Sequence, residues 1–145
     1  MFQLQVTKTK GMAKRFIIYG LLGWTMEVFW TGLGSLFNGN LMLSSFTYLW
    51  MFPIYGLAVF LERVHDQIDN LPWYVRGGIW VIIILSLEYL TGWLLLSFLG
   101  RCPWDYTDVT PYQIQGLIRL DYIPAWFLAG LIFERIHRTL DKLMI

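Results

Sequence analysis

The chain has 145 residues and a mass of 17.1 kDa, enough for one domain. Hydrophobic residues make up 57% and charged residues 14%, against about 45–50% and about 25% in soluble domains. So few charges cannot cover a water-soluble globule, so apolar a chain does not stay disordered, and a net charge of +1 argues against nucleic acid as the main partner.

Lys8, Lys10, Lys14 and Arg15 precede the first apolar run, Phe16 to Met26, which Glu27 interrupts. The basic start fits a signal peptide, but Trp24, Glu27 and Trp30 stand where a small-residue cleavage site belongs, so the run reads as a span. No charge occurs from Val28 to Leu61, and these 34 residues exceed one span of about 20. They predict the end of one helix, a turn at Asn38-Gly39-Asn40 and a second helix. A polar stretch from Glu62 to Asn70 ends at Leu71-Pro72. The third apolar segment, Gly77 to Gly100, is broken only by Glu88, and the fourth, Tyr122 to Phe133, must borrow flanking residues.

The expected fold is therefore an all-α integral membrane bundle of four helices, at about 14–36, 44–64, 75–99 and 118–140. In this reading Pro53 kinks an ongoing helix, whereas Pro124 marks a helix start. Four spans put nine cations (Lys8, Lys10, Lys14, Arg15, Arg63, Arg76, Arg135, Arg138 and Lys142) on one side and two, Arg101 and Arg119, on the other. That bias predicts a cell-membrane protein with both termini cytosolic.

The halves echo each other. Ala58-Val59-Phe60-Leu61-Glu62-Arg63-Val64-His65 aligns with Gly130-Leu131-Ile132-Phe133-Glu134-Arg135-Ile136-His137 at an offset of 72. Arg15 and Glu27 correspond to Arg76 and Glu88 at an offset of 61, so 11 residues are inserted in the second outer connection. The repeat units, about 14–65 and 75–137, are helical hairpins, and two spans per unit make them parallel repeats within a single transmembrane domain.

Glu27 and Glu88 each lie twelve residues past an arginine, roughly 18 Å along a helix and close to the bilayer centre. Neither should face lipid, and the repeat predicts that they meet across a common axis. A shared proton, or a bound cation or substrate replacing it, satisfies both; the alternative is hydrogen-bonded interhelical glue. A second constellation joins these to Glu62-x-x-His65 and Glu134-x-x-His137, the ligand inventory of a di-iron carboxylate bundle. Depth opposes it, since about 15 Å separates the two layers, and the histidines otherwise read as solvated at headgroup level. No cofactor is expected outside that alternative.

The outer connection carries Arg101-Cys102-Pro103-Trp104-Asp105-Tyr106 and leads to Arg119, Leu120, Asp121 and Tyr122. Trp104, Asp105, Tyr106, Arg119 and Asp121 are read as a cap or gate, with Arg119 and Asp121 pairing with Asp105 or Arg101. The lone Cys102 excludes an internal disulfide.

Pro53-Ile54-Tyr55-Gly56, Glu88-Tyr89-Leu90-Thr91-Gly92, Cys102-Pro103-Trp104-Asp105-Tyr106, Gly116-Leu117-Ile118 and Trp126 followed by Glu134 carry a resemblance. Over about residues 16–140 the chain resembles the bacterial ABC-transporter (CmpB-type) membrane proteins and the vertebrate transmembrane-protein-229 family. The resemblance implies a multi-pass membrane protein with Glu27, Glu62, Glu88, Asp105 and Glu134 at motif positions. It implies little about activity, and the two histidines fall outside the shared pattern.

The leading expectation is a transport-type protein for an ion, small solute or lipid, centred on Glu27 and Glu88. No phosphate-binding Gly-x-x-x-x-Gly-Lys-Ser/Thr loop exists in the chain, so any driving ATPase is a separate polypeptide. Hydrolase and thiol-redox motifs are missing as well, which favours a non-enzyme. Alternatives are an assembly subunit of a larger membrane complex and the di-iron oxidoreductase. A four-helix bundle is narrow, so a homo-oligomer or a partner membrane chain is expected.

Overall fold

The first helix, α1, has 36 residues. In the computed structural model, which describes residues 2–144 and the side chains of 11–144, it runs Phe2–Phe37. It starts twelve residues before the expected 14, and the Lys8 and Lys10 side chains lie outside the described residues. Its end falls where the Asn-Gly-Asn turn predicts. Asn38 N–H donates to Gly34 O (3.2 Å), Asn40 N–H donates to Ser35 O (3.0 Å), and Gly39 takes a φ of +83°, which favours glycine.

The second expected helix, 44–64, starts seven residues late and comes in three pieces: α2 (Met51–Gly56), a 3-10 turn (Leu57–Leu61) and α3 (Glu62–Ile68). Pro53 explains the late start. Extended backward, the helix would drive its ring into the carbonyl of Leu49, whereas in the first turn its missing N–H costs nothing. Pro53 thus opens a helix rather than kinking one. The segment before it is held by Thr31, whose hydroxyl donates to Phe46 O (3.0 Å) and accepts from Phe46 N–H (3.2 Å).

Helix α4 (Trp73–Leu99) follows Pro72 and stops at Gly100, whose left-handed φ of +70° closes its last turn. A short antiparallel ribbon then pairs β1 (Gln113–Ile114) with β2 (Ile118–Arg119). The fourth helix, α5 (Ile123–Lys142), begins five residues after the expected 118, because 118–119 are strand and Pro124 stands in its first turn as read from the sequence.

Gly11–Phe37 and Trp73–Leu99 are long and apolar enough to cross a membrane. Only 17% of each apolar window is buried, so Leu21, Phe29 and Trp30 on α1 and Ile82, Trp93 and Phe98 on α4 face outward. Lipid solvates such a surface; water does not.

The chain forms two compact units, Met1–Val64 with Leu140–Ile145, and His65–Thr139. In the first, Tyr55 lies directly over Gly23, where a Cβ would run into its ring. In the second, Trp80 lies over Gly130 in the same way, and Trp80 is 1% exposed. Gly130→Ala is expected to destabilise the protein by about 1–3 kcal/mol in detergent thermal unfolding. The clash outweighs the roughly 1 kcal/mol that alanine gains in helix propensity.

Candidate functional site

Arg15 and Tyr19 are four residues apart and so share one face of α1. Both reach the same carboxylate: Arg15 Nη1 donates to Glu62 Oε1 at 2.9 Å and the Tyr19 hydroxyl donates to it at 2.7 Å. Arg15 also bonds Asp141 through its second terminal nitrogen, so one planar guanidinium serves two carboxylates.

The other unit builds the same device. Arg76 and Trp80, again four apart, converge from α4 on Glu134. Arg76 Nε donates to both Glu134 oxygens (2.9 and 3.1 Å) and Trp80 Nε1 donates to Oε1 (2.8 Å). Arg76 Nη1 further donates to Leu71 O (2.7 Å) and Asp69 O (3.2 Å), fixing the turn that precedes its own helix. Glu134 is 1% exposed, so these bonds replace its lost hydration.

The histidines are not solvated. His65 and His137 are 3% and 4% exposed, with ring centroids 5.1 Å apart in edge-to-face contact and Phe133 stacked on His137. His65 lies 3.8 Å from Glu134, and His137 Nε2 lies 3.3 Å from Asp66 Oδ1. Among the described residues no three His, Cys, Asp or Glu side chains are grouped to hold a metal, and Glu134 is engaged by Arg76 and Trp80.

The outer connection folds onto α4. Trp104, buried, donates from Nε1 to Leu117 O (3.0 Å) beside Gly92. Asp105 Oδ1 accepts from the Thr107 N–H (2.9 Å) and hydroxyl (2.6 Å). Tyr106 N–H donates to Gly116 O (2.9 Å), and its hydroxyl reaches Glu88 Oε1 at 3.1 Å. Burial, and then Glu88, push the Tyr106 phenol well above its ordinary range, so it remains a proton donor. Burial likewise pushes the Cys102 thiol up.

Arg119 and Asp121 pair with each other, not with Asp105 or Arg101: two residues apart, they need no second segment to meet. The Arg119 guanidinium also lies over the Tyr122 ring (4.0 Å) and near Tyr106 (5.5 Å). Its hydrogen bonds hold the Asp121 carboxyl below the usual carboxylate range, and Thr107 does the same for Asp105.

Glu27 and Glu88 are both half-buried, each within its own unit. Thr47 and Tyr55 face the Glu27 carboxyl. Trp24, Thr47, Tyr55, Tyr19 and Trp80 escape the sequence reading. The Arg15-x-x-x-Tyr19 and Arg76-x-x-x-Trp80 spacing, at the repeat offset of 61, is the signal that would have found the last two.

Apolar outward faces on two long helices, with ionised groups gathered by side chains of the same unit, define a helical membrane protein. Over residues 15–144 the chain matches the family described as Putative ABC-transporter type IV, and it belongs to that family. The CmpB-type resemblance therefore holds, and with it a transport-related class. No solved structure matches the chain.

Trp80→Phe keeps the ring but removes the N–H that Glu134 accepts, and is expected to cost about 1–3 kcal/mol in thermal unfolding. The cap should respond to acid. Asp105 and Asp121, depressed in the folded state, stabilise it above the unfolded carboxylate pKa of about 3.9 and lose that contribution as pH falls through their lower folded values. A change in Trp104 fluorescence confined to that acid range is the expected readout.

Proposed function

We propose that the chain is a four-crossing transport subunit with both termini in the cytosol, built from a duplicated hairpin. In this reading the acidic residues within the spans take up a proton or a small cation. The observation that carries the reading is the setting of Glu27 and Glu88: each is a half-buried carboxyl on an apolar helix facing hydroxyl groups, Thr47 and Tyr55 for one and Tyr106 for the other. Hydroxyls donate to a carboxylate or accept from a carboxylic acid, so they accommodate either state of charge.

The four-crossing arrangement is supported by length. α5 has 20 residues, about 30 Å of helix, and the pieces from Met51 to Ile68 form a nearly continuous helical run. Duplication is supported by the paired Arg-aromatic-Glu clamps at the repeat offsets of 61 and 72. A second copy or a partner membrane chain would complete a pathway, and a separate ATPase would supply any ATP-driven step.

Proteoliposomes carrying an internal pH dye test the reading. The double variant Glu27→Gln/Glu88→Gln is expected to lose the pH-dependent cation or proton flux while inserting and folding normally. Flux unchanged in that variant would remove the transport assignment.

A further inference from the structure

We propose that the outer connection between α4 and α5 is a re-entrant segment lining a water-filled vestibule, which admits protons or small hydrated cations from the outer surface as far as Tyr106, one hydroxyl short of Glu88. The proposal rests on the reading of α4 as a crossing of a transport subunit, and gives that subunit an outer entrance.

The connection lies deep. It leaves α4 at Gly100 and folds back along the helix. Cys102, Trp104 and Leu117 all close on Gly92, at 3.5, 3.2 and 3.2 Å from where its Cβ would stand. Further down, the Tyr89 hydroxyl donates to Gln115 Oε1 (2.7 Å) and the Tyr106 hydroxyl donates to Glu88 Oε1 (3.1 Å). Gly92 and Glu88 stand seven and eleven residues before Leu99, so the connection descends roughly 10–16 Å below the outer end of α4. Over the same stretch the rest of the helix surface is apolar and exposed, at Leu90, Trp93, Leu94, Leu96, Phe98 and Leu99. Lipid therefore solvates α4 at the level where the connection lies.

A segment at that depth cannot face hydrocarbon. Non-helical backbone is tolerated within a bilayer only where protein buries it or water reaches it. β1 and β2 form a two-stranded ribbon whose outer edges no third strand covers among the described residues. The side chains decide for water. Asp105, Thr107 and Gln115 are exposed, on the stretch whose neighbours touch Gly92 and Glu88. Asp105 accepts from the Thr107 N–H (2.9 Å) and hydroxyl (2.6 Å), and no cation pairs with it among the described residues. A carboxylate in lipid costs at least about 2.5–3.5 kcal/mol, a cost that water removes.

The lining is held in shape by its own bonds. Trp104 Nε1 donates to Leu117 O (3.0 Å) and Tyr106 N–H to Gly116 O (2.9 Å), joining the two arms of the connection. Gly116, at a φ of +68°, lies so close to Asp105 and Thr107 that a Cβ would strike an oxygen of each. The Asp105 charge favours cations over anions at the entrance, and Tyr106 closes the floor above Glu88.

Spin labels on the full chain in proteoliposomes test the vestibule, with Cys102→Ser removing the native thiol. Leu90→Cys puts a nitroxide on α4 between the levels of Glu88 and Gly92, on the opposite face; Gln115→Cys and, as a second position, Thr107→Cys put one in the connection. Collisions with oxygen, which prefers lipid, are compared with those of a neutral nickel chelate, which stays in water. The Leu90→Cys label is expected to keep its oxygen collisions and lose those of the chelate, whereas the Gln115→Cys and Thr107→Cys labels keep the chelate collisions. A lipid-facing label in Leu90→Cys with no chelate access in either connection variant would overturn the vestibule and leave the crossing, since protein then covers the connection. Chelate access in Leu90→Cys would remove the crossing at that level, and the vestibule with it.

Discussion

A carboxylate moved out of water must be compensated where it sits, and this requirement organises both hairpins. Glu134 is 1% exposed, and its carboxyl oxygens are met by Arg76 and Trp80, which arrive together from one face of α4. Losing one partner of such a buried pair costs about 3–5 kcal/mol, so the two helices cannot slide past each other freely. Arg15 and Tyr19 impose the same register on Glu62. In the second unit the volumes follow suit, Gly130 making room for Trp80, and at the repeat offsets Tyr19 corresponds to Trp80 and Ala58 to Gly130.

With the clamp fixed, depth follows from helix geometry. Glu27 and Glu88 lie twelve residues beyond Arg15 and Arg76, roughly 18 Å along each helix. The surrounding groups then differentiate them. In the second unit the Trp104-Asp105-Tyr106 turn spends one residue on anchoring the loop, one on closing a local turn and one on the carboxyl of Glu88. In the first, Thr31 is the organising residue, bonding its own helix and the facing segment together.

The two long apolar helices and several helix ends were legible because hydropathy and turn chemistry are local. The break at Asn38-Gly39, the stop at Gly100 and the start at Pro124 follow from φ preferences and a missing N–H. Pro53 was misread because its effect depends on whether a helix precedes it, and no residue between Ser44 and Trp50 announces that none does. Glu62 and Glu134 stood out as repeated acidic residues, but their partners did not. An aromatic N–H or hydroxyl in an apolar run looks like core filler until a long-range contact reveals its acceptor. The histidines misled for the same reason: adjacency to arginine suggests solvent, yet ring packing across helices buries both. The i, i+2 pairing of Arg119 with Asp121 was within reach of the sequence; the search for a partner in another segment overlooked it.

A double-mutant cycle on Arg76 and Glu134, each replaced by methionine and followed by thermal unfolding in detergent, tests the clamp most directly. Arg76→Met strands the buried Glu134 carboxyl and should destabilise by about 3–5 kcal/mol, Glu134→Met should cost less because Arg76 keeps its bonds to Leu71 O and Asp69 O, and the double substitution should recover most of the larger loss. Losses that simply add, or single variants as stable as the parent, would contradict the account.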